Sequence, residues 1–268
     1  GTISKLANKY KVNDLALFSD SLEQEKANLI CQAITEGIIL GNYSFNKYKK
    51  KDKDQDGDWV ENVKFYAKSN FNLIRKGMSL GTSSGEAAND ARNMANEPGN
   101  KWTPTQFAEY AKEVAKETGI NCTVFDKKKL QSMKMGGILA VNKGSYDPPK
   151  LIILDYQPEK YKQTIMFVGK GVTFDSGGVS LKPAGGMQDM KYDMCGGAAV
   201  LGAMKVIADE KPAVRVIGIV PATDNMMSGS ATKPGDIITH YNGVTSEVIN
   251  TDAEGRLILA DALAYGTK

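Results

Sequence analysis

Apolar and polar positions alternate along this chain with two different periods, which predicts short strands separated by amphipathic helices. The strands are predicted at residues 59–67, 121–125, 151–156, 164–169 and 214–221. The helices are predicted at residues 21–41, 83–98, 103–119, 127–133, 196–209 and 254–265. Short apolar strands that alternate with helices indicate an α/β fold, in which helices flank a mixed central sheet that is buried on both faces.

Local signals define the helix at 103–119. Thr103 is a favourable N-cap, Pro104 lies in the first turn, and Gln106 stands three residues after Thr103, as a capping box requires. Gly119 is expected to end the helix. One face of the predicted helix is apolar and consists of Phe107, Ala108, Tyr110, Ala111, Val114 and Ala115.

A hairpin is predicted near the end of the chain. Residues 236–241 and 244–249 are both suited to strands, and they flank the pair Asn242-Gly243. This dipeptide favours a two-residue turn between antiparallel strands.

Length and charge exclude several classes of protein. The chain has 268 residues, a formal net charge of +3 and enough apolar residues for a sizeable core. This mild charge does not by itself favour nucleic acid or a membrane surface as a partner. No apolar run reaches the roughly 18 residues that a membrane span requires, and residues 1–10 lack the layout of a signal peptide. We therefore expect no membrane partner and a cytoplasmic location.

Cysteine and histidine usage narrows the chemistry. Cys31, Cys122 and Cys195 are far apart and odd in number, which argues against a disulfide framework or a zinc knuckle and favours reduced thiols. The single histidine, His240, argues against a histidine-rich zinc site. A serine or cysteine triad on His240 stays open, although no segment resembles a nucleophile elbow.

Residues 52–63 resemble the first half of a calcium-binding loop. Acids occupy the first, third, fifth and seventh positions, and Gly57 occupies the sixth. The twelfth position, where a bidentate glutamate completes the coordination, is Val63. We therefore favour a polar loop over a calcium site.

Three glycine-rich or turn-like segments carry acids and a lysine. Lys170 and Asp175 lie in VGKGVTFDSGG, Asp193 lies in MKYDM, and Asp252 and Glu254 lie in NTDAEGR. Each residue alone is explained as well by a helix cap or an exposed position. Together, four carboxylates in one place would repel one another unless cations compensated their charge. The pattern therefore predicts a dinuclear metal site, and with it a metal-dependent hydrolase.

The segments VGKGVTFDSGG, SLKPAGGMQDMKYDM and NTDAEGRLILADAL resemble the cytosol (leucyl) aminopeptidase family of dinuclear-metal exopeptidases, for which NTDAEGRL is the signature. The spacing of the charged positions is similar as well. The upstream segments RNMANEPGNKWTPTQFAEYAK, PPKLIILDY and DNMMSG extend the resemblance from about residue 84 to the end of the chain. Residues 1 to about 80 resemble the latter part of the smaller amino-terminal domain of that family.

The resemblance implies a role for each of the five predicted ligands. Asp175 and Glu254 would bridge two divalent metal ions. Lys170, neutral because a ligand must donate a lone pair, and Asp193 would complete the tighter site. Asp252 would complete the more exchangeable site through its carboxylate and its backbone carbonyl. Oxygen-rich ligation suits Zn²⁺, Mn²⁺, Mg²⁺ or Co²⁺ equally.

Two further residues have implied catalytic roles. Lys182, in SLKPAGG, would remain protonated and polarise the scissile carbonyl or stabilise the oxyanion. Arg256, in NTDAEGR, would hold a bicarbonate ion that serves as the general base.

The function implied by the resemblance is that of an aminopeptidase, which removes the amino-terminal residue, with leucine-like residues preferred, by means of a water that two metals bridge. The implied domains are 1–82, part of the amino-terminal α/β domain; 83–99, a linker helix that Pro98 and Gly99 end; and 100–268, a catalytic domain truncated at its carboxyl end. A homohexamer that acts on peptides with a free amino terminus is also implied. The alternative is a nucleic-acid-binding regulator that shares the fold, which the mild charge disfavours.

Overall fold

The computed structural model describes residues 1–18, 26–50 and 60–268. It divides into two compact units, residues 1–90 and 91–268. Among the helices of these described residues, none has the length and apolar character needed to cross a membrane.

The first unit combines helices with a two-stranded parallel sheet. Its elements are α1 (Thr2–Tyr10), β1 (Asp14–Phe18), α2 (Ala27–Gly41), β2 (Asn62–Tyr66) and the first part of α3 (Phe71–Asn96). The predicted helix at 21–41 is confirmed from Ala27 onward, and the predicted strand at 59–67 is confirmed over Asn62–Tyr66. Residues 52–59, most of the calcium-like loop, lie outside the described residues, so that interpretation stays as it was.

Helix α3 begins at Phe71, well before the predicted start at residue 83, so that start was wrong. Gly77, Gly81 and Gly85, at four-residue spacing, face α2 so closely that added β-carbons would contact Asn28, Gln32 and Ile39. Glycine weakens a helix by about 1 kcal/mol relative to alanine, and here close packing against α2 offsets that weakness. The two compact units divide inside this helix, between residues 90 and 91.

The second unit contains the central sheet. Its elements are α4 (Pro104–Thr118), β3 (Asn121–Phe125), α5 (Lys127–Ser132), α6 (Gly136–Asn142), β4 (Lys150–Tyr156), β5 (Thr164–Val168), β6 (Gly171–Asp175), α7 (Cys195–Glu210), β7 (Arg215–Asn225), β8 (Ile237–Thr239), β9 (Thr245–Glu247) and α8 (Glu254–Gly266). The strand order is β3-β4-β7-β5, and β6 also pairs with β7. Strands β3, β4 and β7 are antiparallel neighbours, whereas β5 and β6 run parallel to β7. The predicted mixed sheet is confirmed.

Alternating side chains of β4 and β7 divide the core into two layers. Ile152 and Leu154 of β4 pack with Val216 and Val220 of β7 against α4 and α7. Leu151 of β4 belongs to the opposite layer, which α5, α6 and α8 cover. The period of two along each strand thus produces a sheet with helices on both faces, as predicted.

Helix α4 follows its local signals closely. The Thr103 hydroxyl accepts a hydrogen bond from the Thr105 N–H (3.3 Å), and Gly119 ends the helix with a φ of 77°. The Thr103 hydroxyl also donates to Oε1 of Gln106, which differs from the bond to the Thr103 N–H that a capping box requires. The predicted cap is confirmed, with a different role for Gln106.

The predicted hairpin is present but shorter. Strands β8 and β9 are antiparallel, and five residues, His240–Val244, connect them. Within this connection the Gly243 N–H donates to the His240 carbonyl (2.8 Å), and Gly243 has a φ of 86°. A two-residue turn was therefore wrong, because the hydrogen-bonded turn begins at His240 and places only Gly243 in the left-handed region.

Strands β5 and β6 lie end to end along one edge of β7. Val168 pairs with Ile219 and Gly171 with Ala222, so the two strands keep one register across a break at residues 169–170. A bulge then inserts one additional residue between Val172 and Asp175. The sequence patterns predicted neither β6 nor α6. Their location matters because Lys170 lies in the break and Asp175 ends β6.

Candidate metal centre

All seven candidate site residues lie in the second unit, on three neighbouring parts of its fold. Lys170 precedes β6, Asp175 ends it, and Lys182 lies in the loop that follows. Asp193 follows a 3₁₀ turn at Met187–Tyr192 and precedes α7. Asp252 lies in the 3₁₀ turn Thr251–Ala253, and Glu254 begins α8. The predicted convergence of separate loops is therefore a property of the structure.

Lys170 joins two of the acids. Its Nζ lies 2.7 Å from Oδ2 of Asp193 and 2.5 Å from Oε1 of Glu254. Burial alone would lower the pKa of Lys170, but its hydrogen bonds and ion pairs with these two carboxylates raise it above its usual value. In this arrangement Lys170 is an ammonium, and it can become a metal ligand only after it loses a proton.

Lys182 joins the other two acids. Its Nζ lies 2.9 Å from Oδ2 of Asp175, and it also forms an ion pair with Asp252. Burial opposes the charge of Lys182, whereas the two carboxylates raise its pKa well above the usual range. Oxygen atoms of Asp175, Asp252 and Glu254 all lie within 4.8 Å of one another, close enough for one ion to contact all three.

Burial makes two acids of this cluster, Asp193 and Glu254, difficult to ionise without cations. The side chains of Asp175 and Glu254 are only 3% and 1% exposed. Burial raises the pKa of Glu254, and repulsion from Asp175 raises it further, while Lys170 acts in the opposite direction. Burial likewise raises the pKa of Asp193. These groups therefore require compensating positive charge.

The cluster fits divalent cations. Four carboxylates face two ammonium groups, which leaves a formal excess of two negative charges when all are ionised. Apart from the ion pairs with the two lysines, four buried carboxylate oxygens have no hydrogen-bond partner among the described residues: Asp193 Oδ2, Asp252 Oδ1, Glu254 Oε1 and Glu254 Oε2. Three of the four are paired with a lysine Nζ: Asp193 Oδ2, Asp252 Oδ1 and Glu254 Oε1. Oxygen donors of this kind suit Mg²⁺, Mn²⁺ and Zn²⁺.

Arg256 does not join this cluster. Its side chain is exposed, and among the described residues no ion pair or hydrogen bond of its guanidinium is present. Its place on α8, two residues after Glu254, leaves it near the acids along the chain. The structure thus brings together six of the seven predicted residues, and the role of Arg256 stays a prediction.

Gly255 gives Lys170 the space to reach Glu254. A β-carbon at position 255 would lie 2.9 Å from Cε and 3.1 Å from Nζ of Lys170. The glycine of the NTDAEGR segment is therefore explained by the approach of a lysine side chain, and the sequence alone gave no reason for it.

Sequence reasoning missed several residues that hold the ligands in place. Oδ1 of Asp175 accepts hydrogen bonds from the Gly177 N–H (2.9 Å) and from Nδ2 of Asn225 (2.8 Å). Asn250 caps the turn before α8, since its Oδ1 accepts from the Asp252 N–H (2.8 Å). Asp252 is therefore not the cap itself. The only signal for Asn225 was its position in the DNMMSG segment.

His240 lies between an acid and a serine. Its Nδ1 is 3.2 Å from Oδ1 of Asp261, and its Nε2 is 3.0 Å from Oγ of Ser246. Asp261 is fully buried and also accepts hydrogen bonds from the N–H groups of Ile138 (3.0 Å) and Tyr241 (2.9 Å). The order of acid, histidine and serine is that of a catalytic triad. These hydrogen bonds join α6, α8 and the β8–β9 hairpin, so the network explains the packing of these elements.

A cluster of acids and lysines that loops and turns bring to the carboxyl end of a strand, in a sheet with helices on both faces, is typical of hydrolases that use two metal ions. The chain belongs to the cytosol aminopeptidase family: the model of its catalytic domain matches residues 89–268, and the model of its amino-terminal domain matches residues 1–52. The sequence segments that resemble this family therefore indicated it correctly.

Relatives and solved structures agree with this assignment. A probable cytosol aminopeptidase of Desulfotalea psychrophila is 51% identical over the whole chain, which covers 54% of that protein. One from Desulforapulum autotrophicum is 53% identical over 88% of the chain, which covers 46% of it. The bottromycin maturation enzyme BotP, in complex with Mn, superposes with a TM-score of 0.85 at 33% identity, over all of this chain and 57% of that one. The chain thus spans about half the length of the curated relatives it matches.

Proposed function

We propose that the protein is a metal-dependent aminopeptidase that releases the amino-terminal residue of peptides. The observation that carries this proposal is the buried cluster of Asp175, Asp252 and Glu254, whose oxygens lie within 4.8 Å of one another, in a chain of the cytosol aminopeptidase family. A solved relative, BotP, is described in complex with Mn, which supports Mn²⁺ as one usable ion. Zn²⁺, Mg²⁺ and Co²⁺ suit the same donors.

In this proposal Asp175 and Glu254 hold both ions, Lys170 and Asp193 complete one site, and Asp252 completes the other. Bound divalent ions would supply an activated water and polarise the substrate carbonyl. The free α-amine of the substrate would serve as a ligand to one of the bound ions, which accounts for the removal of the terminal residue rather than the cleavage of an internal bond. This division of ligands agrees with the two pairs of acids that Lys170 and Lys182 join.

Lys182 supplies the positive charge that the reaction needs at the substrate. Its ammonium lies at the cluster, 2.9 Å from Asp175, on a loop rich in glycine and proline. A protonated lysine in a half-buried site stabilises the negative charge that develops on the scissile carbonyl oxygen. Arg256, exposed on α8 two residues after Glu254, is suited by its positive charge to hold a bicarbonate ion as general base.

Further parts of the proposal follow from the family. They are a preference for leucine-like amino-terminal residues, a homohexamer, a cytoplasmic location, and a division into an amino-terminal domain at 1–82, a linker helix at 83–99 and a catalytic domain from residue 100. The comparisons give no support to the alternative of a nucleic-acid-binding regulator, and the net charge of +3 gives none either.

Hydrolysis of leucyl-p-nitroanilide by the full-length protein tests the proposal. Activity should require Mn²⁺ or another of these ions, disappear with a chelator and return when the ion is restored. N-acetyl-leucyl-p-nitroanilide is the matched control, because it keeps the leucine and the leaving group but lacks the free amine. Equal cleavage of both substrates, or activity that a chelator does not affect, would contradict the proposal.

A further inference from the structure

Asn225, at the end of β7, connects two of the ligand-bearing segments through one amide group. Its side chain is buried, and its Nδ2 donates to Oδ1 of Asp175 (2.8 Å) and to the carbonyl of Thr251 (3.0 Å). Both hydrogens of the amide are therefore used. The two acceptors come from different segments, one that ends β6 and one that precedes Asp252.

The backbone of Asn225 strengthens the same connection. Its carbonyl accepts hydrogen bonds from the N–H (2.9 Å) and the hydroxyl (2.8 Å) of Ser176, directly after Asp175. On the other side, the Thr251 hydroxyl donates to the Gly177 carbonyl (2.7 Å). At Gly178, with a φ of 66°, a β-carbon would lie 2.8 Å from Oδ1 of Asn225. The segments at 175–178 and 250–252 therefore meet around this amide, and position 178 has no room for a β-carbon.

The hydrogen bonds to Asp175 also leave its Oδ2 directed at the cluster. Oδ1 of Asp175 is occupied by the Gly177 N–H and the Asn225 amide, whereas Oδ2 faces Lys182 in the cluster. Hydrogen bonds from outside the ligand set orient a coordinating carboxylate and commonly affect metal affinity by about 10- to 100-fold. The amide of Asn225 orients Asp175 without adding a charge. An acid at position 225 would place a further carboxylate 2.8 Å from Asp175.

We propose that Asn225 is a positioning residue that sets the distance between the Asp175 and Asp252 ligands and thereby the spacing of the two metal ions. This inference rests on the proposed function, because it requires that the cluster bind two ions. It assigns to Asn225 no contact with the substrate or with either ion.

Electron paramagnetic resonance with Mn²⁺ alone tests this role in the full-length protein. Two Mn²⁺ ions about 3.5–4 Å apart give an exchange-coupled spectrum. The signal of free Mn²⁺, followed during a titration, gives the binding isotherm. The variants are Asn225→Asp and Asn225→Ala, and circular dichroism establishes that each is folded. Asn142→Asp is the matched control, because Asn142 is also fully buried but donates to the carbonyl of Asp147 (2.7 Å), outside the cluster.

We expect both Asn225 variants to bind Mn²⁺ about 10- to 100-fold more weakly and to lose the coupled spectrum, while Asn142→Asp keeps the wild-type isotherm and spectrum. A folded Asn225 variant with wild-type affinity and coupling would overturn the inference alone. An equal loss in Asn142→Asp would overturn it as well, because the effect would then be general. If the wild-type protein binds fewer than two Mn²⁺ ions, the proposed function fails together with the inference. Asn225→Ala decides the matter if the introduced carboxyl of the other variant prevents folding.

Discussion

The Nζ of Lys170 lies 2.5 Å from Oε1 of Glu254, although the side chain of Glu254 is only 1% exposed. A buried carboxylate without a partner is costly, and the ammonium compensates its charge. A metal ion that binds Glu254 must therefore replace this pairing, and substitutions in and around the pair have distinct consequences.

Glu254→Gln should abolish tight metal binding while the fold persists. The substitution keeps the shape of the side chain, and Lys170 keeps its ion pair with Asp193. Loss of an outer hydrogen bond to a ligand costs about 10- to 100-fold in affinity, so loss of a ligand charge should cost more than about 100-fold. Metal content after desalting and the thermal midpoint measure the two effects. Glu247→Gln, on exposed β9, is the control, and a full complement of bound metal in Glu254→Gln would contradict the expectation.

Lys182→Ala should lower kcat far more than it raises KM. A cationic or hydrogen-bonding group that stabilises developing negative charge contributes about 10²- to 10³-fold to kcat. Because the substitution removes an ammonium from Asp175 and Asp252, metal affinity should stay equal or increase. Steady-state kinetics with leucyl-p-nitroanilide and metal titration check both statements. Lys112→Ala, which removes only an exposed pair with Glu109, is the control. Unchanged turnover in Lys182→Ala would exclude Lys182 from the reaction.

Gly255→Ala should impair activity without destabilising the protein. Alanine favours a helix over glycine by about 1 kcal/mol, but its β-carbon would press on the end of the Lys170 side chain, 2.9–3.1 Å away. We expect kcat/KM to fall about 10- to 100-fold and the free energy of unfolding in urea to stay level or rise. Gly37→Ala in α2, where the nearest atom is 3.7 Å away, should gain stability and keep activity. A fully active Gly255→Ala would show that Lys170 does not need this space.

Asp261→Ala should destabilise the protein, whereas Ser246→Ala should leave hydrolysis intact. Removal of the Asp261 carboxylate leaves the buried N–H of Ile138 and the partly buried N–H of Tyr241 without acceptors, at a cost of about 3 kcal/mol. Urea denaturation measures this loss. Removal of a true serine nucleophile lowers kcat on the order of 10⁶-fold. Such a loss in Ser246→Ala would identify the His240 network as a second catalytic site.

Local signals predicted much of the fold. The cap at Thr103, the glycine that ends α4 and the apolar face of that helix depend only on neighbours along the chain, and the structure has all three. The start of α3 was predicted wrongly because Gly77, Gly81 and Gly85 weaken a helix unless a partner helix packs against them. Strand β6 was not predicted because its residues stand between glycine-rich segments that favour a loop.

For the candidate site as well, local signals identified some residues, and those that depend on distant contacts were missed. Its charged residues were recognisable because each stands in a distinctive short segment, and their charges require one another. Asn225 was not recognisable, because its hydrogen-bond partners, Asp175 and Thr251, lie 50 and 26 residues away in the sequence. A neutral amide has no charge to reveal such a role, and only the fold brings these three residues together.

Helices α2 and α3 approach each other where side chains are absent, at Gly77, Gly81 and Gly85. The close van der Waals contact that these glycines permit adds to the apolar cluster that Ala27 and Cys31 of α2 form with Ile74 of α3. Any larger residue at these positions would act as a wedge and force the helix axes apart. The volume of a side chain, rather than its hydrophobicity, therefore decides which substitutions these three positions tolerate.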